Sequence, residues 1–220
     1  WYLSSNLDNK NNLNEHLFEN LKTKGVPKVL KNTVFPFEYN DLNKLKEIIE
    51  ENDIGAIKME VFRNVEPKDN FLEKVRELSK KKGIVLIFDE CTSGFRKNFG
   101  GLHKYYDIKP DIAMFGKALG NGYAITAVIG KKEIMNAAQE TFISSTFWTE
   151  RIGPTAGLKT LEIMEKVKSW KTIDKLGKMI KNKWKILAKD KNIPIRVSGY
   201  NALAKFQIIS KKILQPKYLY

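Results

Sequence analysis

The run Ile84-Val85-Leu86-Ile87-Phe88 constrains this chain more than any other feature. It is apolar at every position, follows the helix-breaking Gly83 and stops at Asp89-Glu90. A strand with one wet face alternates apolar and polar residues. A strand apolar throughout is buried on both faces, as in a parallel sheet covered by helices. The flanking pattern agrees. Leu42, Leu45, Ile48 and Ile49 predict a helix over 41–51, the run 54–61 a strand, and Phe71, Leu72, Val75 and Leu78 a helix over 70–81. Further strands are expected at 111–115 and 124–129, helices at 149–168 and 170–189, and strands of another layer at 195–197 and 203–209. Such alternation predicts an α/β fold with a mixed, mostly parallel sheet. At the start, the asparagine-rich stretch 1–12 reads as loop. Leu13, Leu17, Phe18 and Leu21 predict a short helix ended by Gly25 and Pro27.

Parallel sheets bind ligands beyond the carboxyl ends of their strands. Asp89 opens the segment Asp89-Glu90-Cys91-Thr92-Ser93-Gly94-Phe95-Arg96 at such an end. It is placed like a site residue, although an acidic residue there also caps helices and lines turns. A second segment has the same layout: strand 111–115, then Gly116-Lys117-Ala118-Leu119-Gly120-Asn121-Gly122. A lysine at a strand end among apolar residues is open to desolvation, which disfavours its ammonium and yields a nucleophilic amine for Schiff-base chemistry. The other reading is a phosphate-binding lysine in a glycine-rich loop. The pattern G-x-x-x-x-G-K-[ST] does not fit, because Ala118 follows Lys117 and no glycine stands five positions before Gly116.

The formal charge of +14 raises a reading from another class, a basic nucleic-acid-binding module. Arginine, which supplies bidentate contacts to bases and phosphates, is confined to Arg63, Arg76, Arg96, Arg151 and Arg196. The remaining basic residues are lysines scattered through expected helices, so a solvated lysine-rich surface is the better reading, without nucleic-acid partners. No apolar run reaches the ~18–20 residues of a membrane span. No basic-then-apolar leader opens the sequence, which reads as cytoplasmic. Cys91 is the only cysteine and allows no internal disulfide or cysteine zinc cluster. His16 and His103 lack partners at metal spacing, so no metal site is expected. Trp170 and Trp184 are expected in the core, and Tyr105 and Tyr106 in packing roles.

The segments FDECTSGFR, PDIAMFGKALGNGY and STFWTERIGPTAGLKTLE, in that order, resemble class III pyridoxal-phosphate-dependent aminotransferases, in the glutamate-1-semialdehyde 2,1-aminomutase-like branch. The resemblance runs from Trp1 to about Glu165 and more weakly beyond. It implies a fold-type-I transferase, with 1–166 as a cofactor-binding large domain and 167–220 as the start of a small C-terminal α+β domain, the boundary falling near Lys166–Trp170. It implies pyridoxal 5'-phosphate as cofactor, bound as a Schiff base by Lys117, which also moves the substrate's α-proton. Asp89 matches the aspartate on the ring nitrogen, where a carboxylate keeps the pyridine protonated to take up carbanion charge. Cys91 stands where an aliphatic residue packs on the ring, and reads as packing. Thr146 matches a threonine that reaches the phosphate of the neighbouring subunit, which implies a homodimer with shared sites. Glu60 matches a glutamate close to the site.

Two departures bear on substrate. The small-residue stretch usual after that threonine is here Trp148-Thr149-Glu150-Arg151, and Gly120-Asn121-Gly122-Tyr123 replaces a G-G-G-x-P run. Both favour a transaminase, with a small-molecule amino donor and a carbonyl acceptor, over an aminomutase exchanging groups within one molecule. Glu150 and Arg151 line the expected site, with Arg151 suited to a substrate carboxylate. Alternatively they open the following helix and pair with other protein groups. The sequence is expected to be a piece of a longer chain, lacking an N-terminal phosphate-binding loop and the end of the small domain, and inactive by itself.

Overall fold

The computed structural model describes residues 2–14, 16, 20–62 and 64–209. The expected helix positions Leu17 and Phe18 lie outside the described residues. The chain divides into two compact units, Trp1–Ile54 and Gly55–Tyr220.

In the first unit, Tyr2–Leu7 forms a 3-10 helix where a loop was expected. Asparagine side chains supply its ties: Asn6 Oδ1 accepts from the Leu13 N–H at 3.1 Å, and Asn12 Nδ2 donates to the Ser5 carbonyl at 2.9 Å. Short polar side chains that satisfy nearby backbone groups fold an asparagine-rich segment without apolar periodicity. The helix α1 (Leu42–Glu51) starts where Asp41 Oδ1 accepts from the Lys44 N–H at 2.9 Å. It buries Leu45, Ile48 and Ile49.

The second unit holds the sheet. Strand β1 (Ala56–Met59) leads into α2 (Phe71–Lys82), which buries Phe71, Leu72 and Val75. Gly83 ends α2 at φ 69°, a left-handed cap that glycine adopts without a Cβ clash. Its three closing lysines, Lys80 to Lys82, suit the negative end of the helix dipole. The chain then enters β2 (Val85–Asp89), followed by β3 (Ile112–Phe115) and β4 (Ala127–Gly130). The strand order is β1-β2-β3-β4. The first three are parallel, with Ile57 paired to Leu86 and Phe88 to Ala113, and β4 is antiparallel to β3. The mixed, mostly parallel α/β sheet is therefore as expected. One expectation needs correction: Leu86 and Phe88 are fully buried, but Val85 and Ile87 on the opposite face are only half-buried.

Asp111, just before β3, ties this sheet to α2. Its Oδ2 accepts from Arg76 Nη1 and from the Leu86 N–H, each at 2.8 Å, and its Oδ1 lies 2.7 Å from Lys131 Nζ. Beyond the four-residue α3 (Lys132–Met135) come α4 (Ile152–Val167) and α5 (Ser169–Asp190), joined at Lys168. An antiparallel pair, β5 (Ile195–Ser198) and β6 (Lys205–Ile208), closes the described chain as a separate sheet. Trp184 meets Phe206 in a tilted contact with ring centres 5.0 Å apart, and Trp170 meets Phe99 likewise at 5.8 Å, but both tryptophans are half-buried and neither lies in the core as expected. Among the described residues, no helix is long and apolar enough to cross a membrane.

Candidate active site

The two segments singled out from the sequence emerge side by side. Asp89 closes β2 and pairs in register with Met114 of β3, three residues before Lys117. Lys117 follows the strand end at φ 40°, a left-handed conformation uncommon for a residue with a Cβ and typical of functional turns. Its side chain is exposed, not desolvated as expected, and turns back toward β2, where Nζ donates to Thr92 Oγ1 at 2.9 Å. The loop that follows is tightly wound. A Cβ on Gly120 would lie 2.2 Å from the Tyr123 carbonyl oxygen, so only glycine fits there. Beneath it, Phe95, Phe115 and Leu119 form a buried cluster with Leu161 and Met164 of α4 packed against it. That apolar base fixes where the Lys117 turn begins.

Asp89 is held on both carboxylate oxygens. Oδ1 accepts from the Cys91 N–H at 3.1 Å, and Oδ2 accepts from Lys58 Nζ of β1 at 2.7 Å. Burial pushes this carboxyl up, but the Lys58 hydrogen bond, the Cys91 N–H and the Lys58 charge outweigh it and hold the group below its ordinary range. Cys91 is shifted the other way: burial, then the hydrogen bond to Asp89 and its negative charge, push the thiol up. A thiol so placed stays protonated at neutral pH, which agrees with packing and not with nucleophilic attack.

The residue after Asp89 points away from the site, because strand neighbours alternate faces. Glu90 is fully buried; its Oε1 accepts from the His103 N–H at 2.9 Å and lies 2.9 Å from His103 Nδ1, while Ser93 Oγ donates to Oε2. This clamp fastens both ends of the loop between Asp89 and the 3-10 turn Leu102–Lys104. The acidic partner of His103 lies thirteen residues away in the sequence. Among the described residues, no cluster suits a metal ion.

The other expected site residues divide. Glu60 sits one residue beyond β1, whose last residue Met59 pairs with Phe88, so it stands level with Asp89 at the same end of the sheet. Thr146 is exposed in a turn, and the side-chain hydrogen bonds of Asp89 and Lys117 among the described residues go to Lys58, Cys91 and Thr92 and not to it. Glu150 opens α4: its carboxylate accepts from the N–H groups of Ile152 and Gly153. This is the helix-opening alternative for Glu150, and it leaves less of the carboxylate for a substrate. Arg151 is exposed at the helix start. Lys58 and Thr92, which touch Asp89 and Lys117 directly, were not read from the sequence. The only signal for Lys58 was a lone charge in the apolar run Ala56-Ile57-Lys58-Met59.

The donor set fits a bound pyridoxal phosphate. A carboxylate held ionised suits a protonated ring nitrogen, and the Lys117 amine at the next strand end suits an aldehyde. Comparison with known proteins points the same way. The profile of the family described as Aminotransferase class-III matches residues 11–219. The 3-aminobutyryl-CoA aminotransferase of Cloacimonas acidaminovorans (strain Evry) is 36% identical over 184 residues, covering 80% of this chain and 44% of that protein. The glutamate-1-semialdehyde 2,1-aminomutase of Methanococcus maripaludis (strain C7 / ATCC BAA-1331) is 37% identical over 194 residues, 84% of this chain and 44% of that one. The chain thus spans about half the length of the curated relatives it matches. Among solved structures, the Sphingopyxis sp. MTA144 FumI protein in its PLP internal aldimine form superposes with a TM-score of 0.81 over 87% of this chain and 48% of its own, at 22% identity. An omega-transaminase from Sphaerobacter thermophilus gives 0.74 over 86% and 45%, at 25% identity.

Proposed function

Because this chain belongs to the class III aminotransferase family, we propose that it is part of a pyridoxal-phosphate enzyme that transfers an amino group from a small-molecule donor to a carbonyl acceptor. The observation that carries this reading is the placement of Asp89 and Lys117 at the carboxyl ends of adjacent parallel strands, with Lys117 Nζ returned to Thr92 beside the Asp89 loop. When bound, the cofactor supplies an aldehyde carbon for amines and a ring that takes up carbanion charge. The chain's residues do the rest. Asp89 holds a proton on the ring nitrogen. Lys117 Nζ would hold the cofactor through its aldehyde and would be the group placed to carry a proton to and from the substrate carbon. Thr92 Oγ1 steers that amine. The protonated Cys91 thiol packs beside Asp89, and a free thiol in the site suits a reducing, cytoplasmic compartment.

In this reading, residues 1–166 belong to the large domain and 167–220 begin the small one. A second copy completes the site through Thr146. The support is apolar exposure around it: Phe142 is 98% exposed, Phe147 74% and Trp148 70%. Side chains of that size stay wet at a cost that an interface removes.

The relatives include a transaminase and an aminomutase, and the bulky stretch Phe147 to Arg151 favours the transaminase. The experiment uses the full-length protein with added cofactor and a panel of amino donors. The aldehyde-form absorbance is expected to fall with one or more donors, and borohydride is expected to fix the cofactor on Lys117. A label on another lysine rejects the site. Turnover of glutamate-1-semialdehyde without a donor replaces the transaminase reading by the aminomutase one.

A further inference from the structure

Lys58 and Asp89 stand on one face of the sheet. Lys58 pairs in register with Ile87, and Asp89 lies two residues further along β2, so alternation brings both side chains to the same side. The neighbours of Lys58, Ile57 and Met59, are buried on the opposite face. The resulting contact is short, 2.7 Å from Nζ to Oδ2. Asp89 is otherwise faced by the Cys91 N–H and thiol from its own loop, while Glu60 sits one residue beyond β1 and Lys117 lies near enough to act electrostatically on Cys91.

We propose that Lys58 is a positioning residue that shares the Asp89 carboxylate with the cofactor's ring nitrogen and so lowers that nitrogen's affinity for its proton. The proposal rests on Asp89 being the ring-nitrogen partner. An ammonium on one oxygen of a carboxylate withdraws part of the negative charge available to a second cation, and it repels a proton on the adjoining ring. A carboxylate has about four acceptor positions, so the ring can bind without displacing Lys58 or the Cys91 N–H. The consequence is a tuned electron sink: the ring is protonated enough to accept charge, but less firmly than a lone aspartate would hold it.

The test measures the ring nitrogen and not turnover. Full-length protein is loaded with ¹⁵N-ring-labelled pyridoxal phosphate, and the nitrogen shift is followed through pH in the wild type, K58M, K58R, D89N and the K58M/D89N double variant. K58M is expected to raise the proton-binding constant of the ring nitrogen about tenfold, a shift of about one pH unit. K58R is expected to match the wild type, and K58M is expected to change nothing in the D89N background. Equal titration in wild type and K58M overturns the proposal, as does a ring fully protonated in both, or a K58M effect that persists without Asp89. Wild-type protein that retains no label, or carries it on a lysine other than Lys117, rejects the reading of the site itself.

Discussion

Replacing Lys117 by alanine in the full-length protein is expected to lower amino-transfer turnover by about 10²- to 10⁴-fold, the span removed with a positioned acid–base group. Losing the covalent hold on the cofactor adds to that. Folding is expected to change little. The side chain is exposed, its hydrogen bond is to Thr92, and alanine keeps the same Cβ in the same left-handed turn. Lys117→Arg is expected to fail equally, because a guanidinium does not give up its proton at working pH and cannot bond an aldehyde as a free amine does. Initial rates with a saturating donor and a melting curve for each variant decide the matter. Turnover within tenfold of wild type, with the melt unchanged, places the chemistry on another residue.

The largest stability effect is expected at Asp111. Its side chain is 6% exposed and accepts from a backbone N–H of β2 as well as from Arg76, itself 18% exposed. Removing one partner of such a pair leaves a charge and an N–H without compensation, at about 3–5 kcal/mol. Against a total of about 5–15 kcal/mol, Asp111→Ala removes a large part of the folded protein's margin. Its pH dependence has a definite sign. Burial pushes the Asp111 carboxyl up, but the Leu86 N–H, Lys131 and Arg76 outweigh it and hold the group below its ordinary value. A carboxyl depressed in the folded state stabilises above its unfolded value, about 3.9, and that stabilisation is lost as pH falls through the folded value. Urea unfolding of both proteins is therefore expected to show a wide gap at pH 7 that narrows below pH 4. A gap that stays constant with pH rules out the charged network as its source.

Asp89 and Lys117 were legible because each follows an apolar strand, and strand ends are where an α/β sheet receives ligands. Their nearest partners were not. Lys58 reaches Asp89 across two strands, and a register between segments separated by a helix leaves no spacing in the sequence. The Glu90–His103 clamp spans a loop without periodicity, for the same reason. Glu150 carried two readings because a carboxylate before a helix is equally suited to cap it or to face a ligand; only the positions of the Ile152 and Gly153 N–H groups distinguish them. The fully apolar β2 gave its neighbours correctly but overstated its burial, since composition does not tell a covered face from a half-covered one.

Asp89 and Glu90 are adjacent acids in opposite surroundings, one turned to Lys58 and one locked inside with His103 and Ser93. This makes β2 intolerant of any change in length. A single residue gained or lost between Val85 and Asp89 reverses every side chain beyond it. Glutamate would then face Lys58 and aspartate the interior, with reaches that suit neither place.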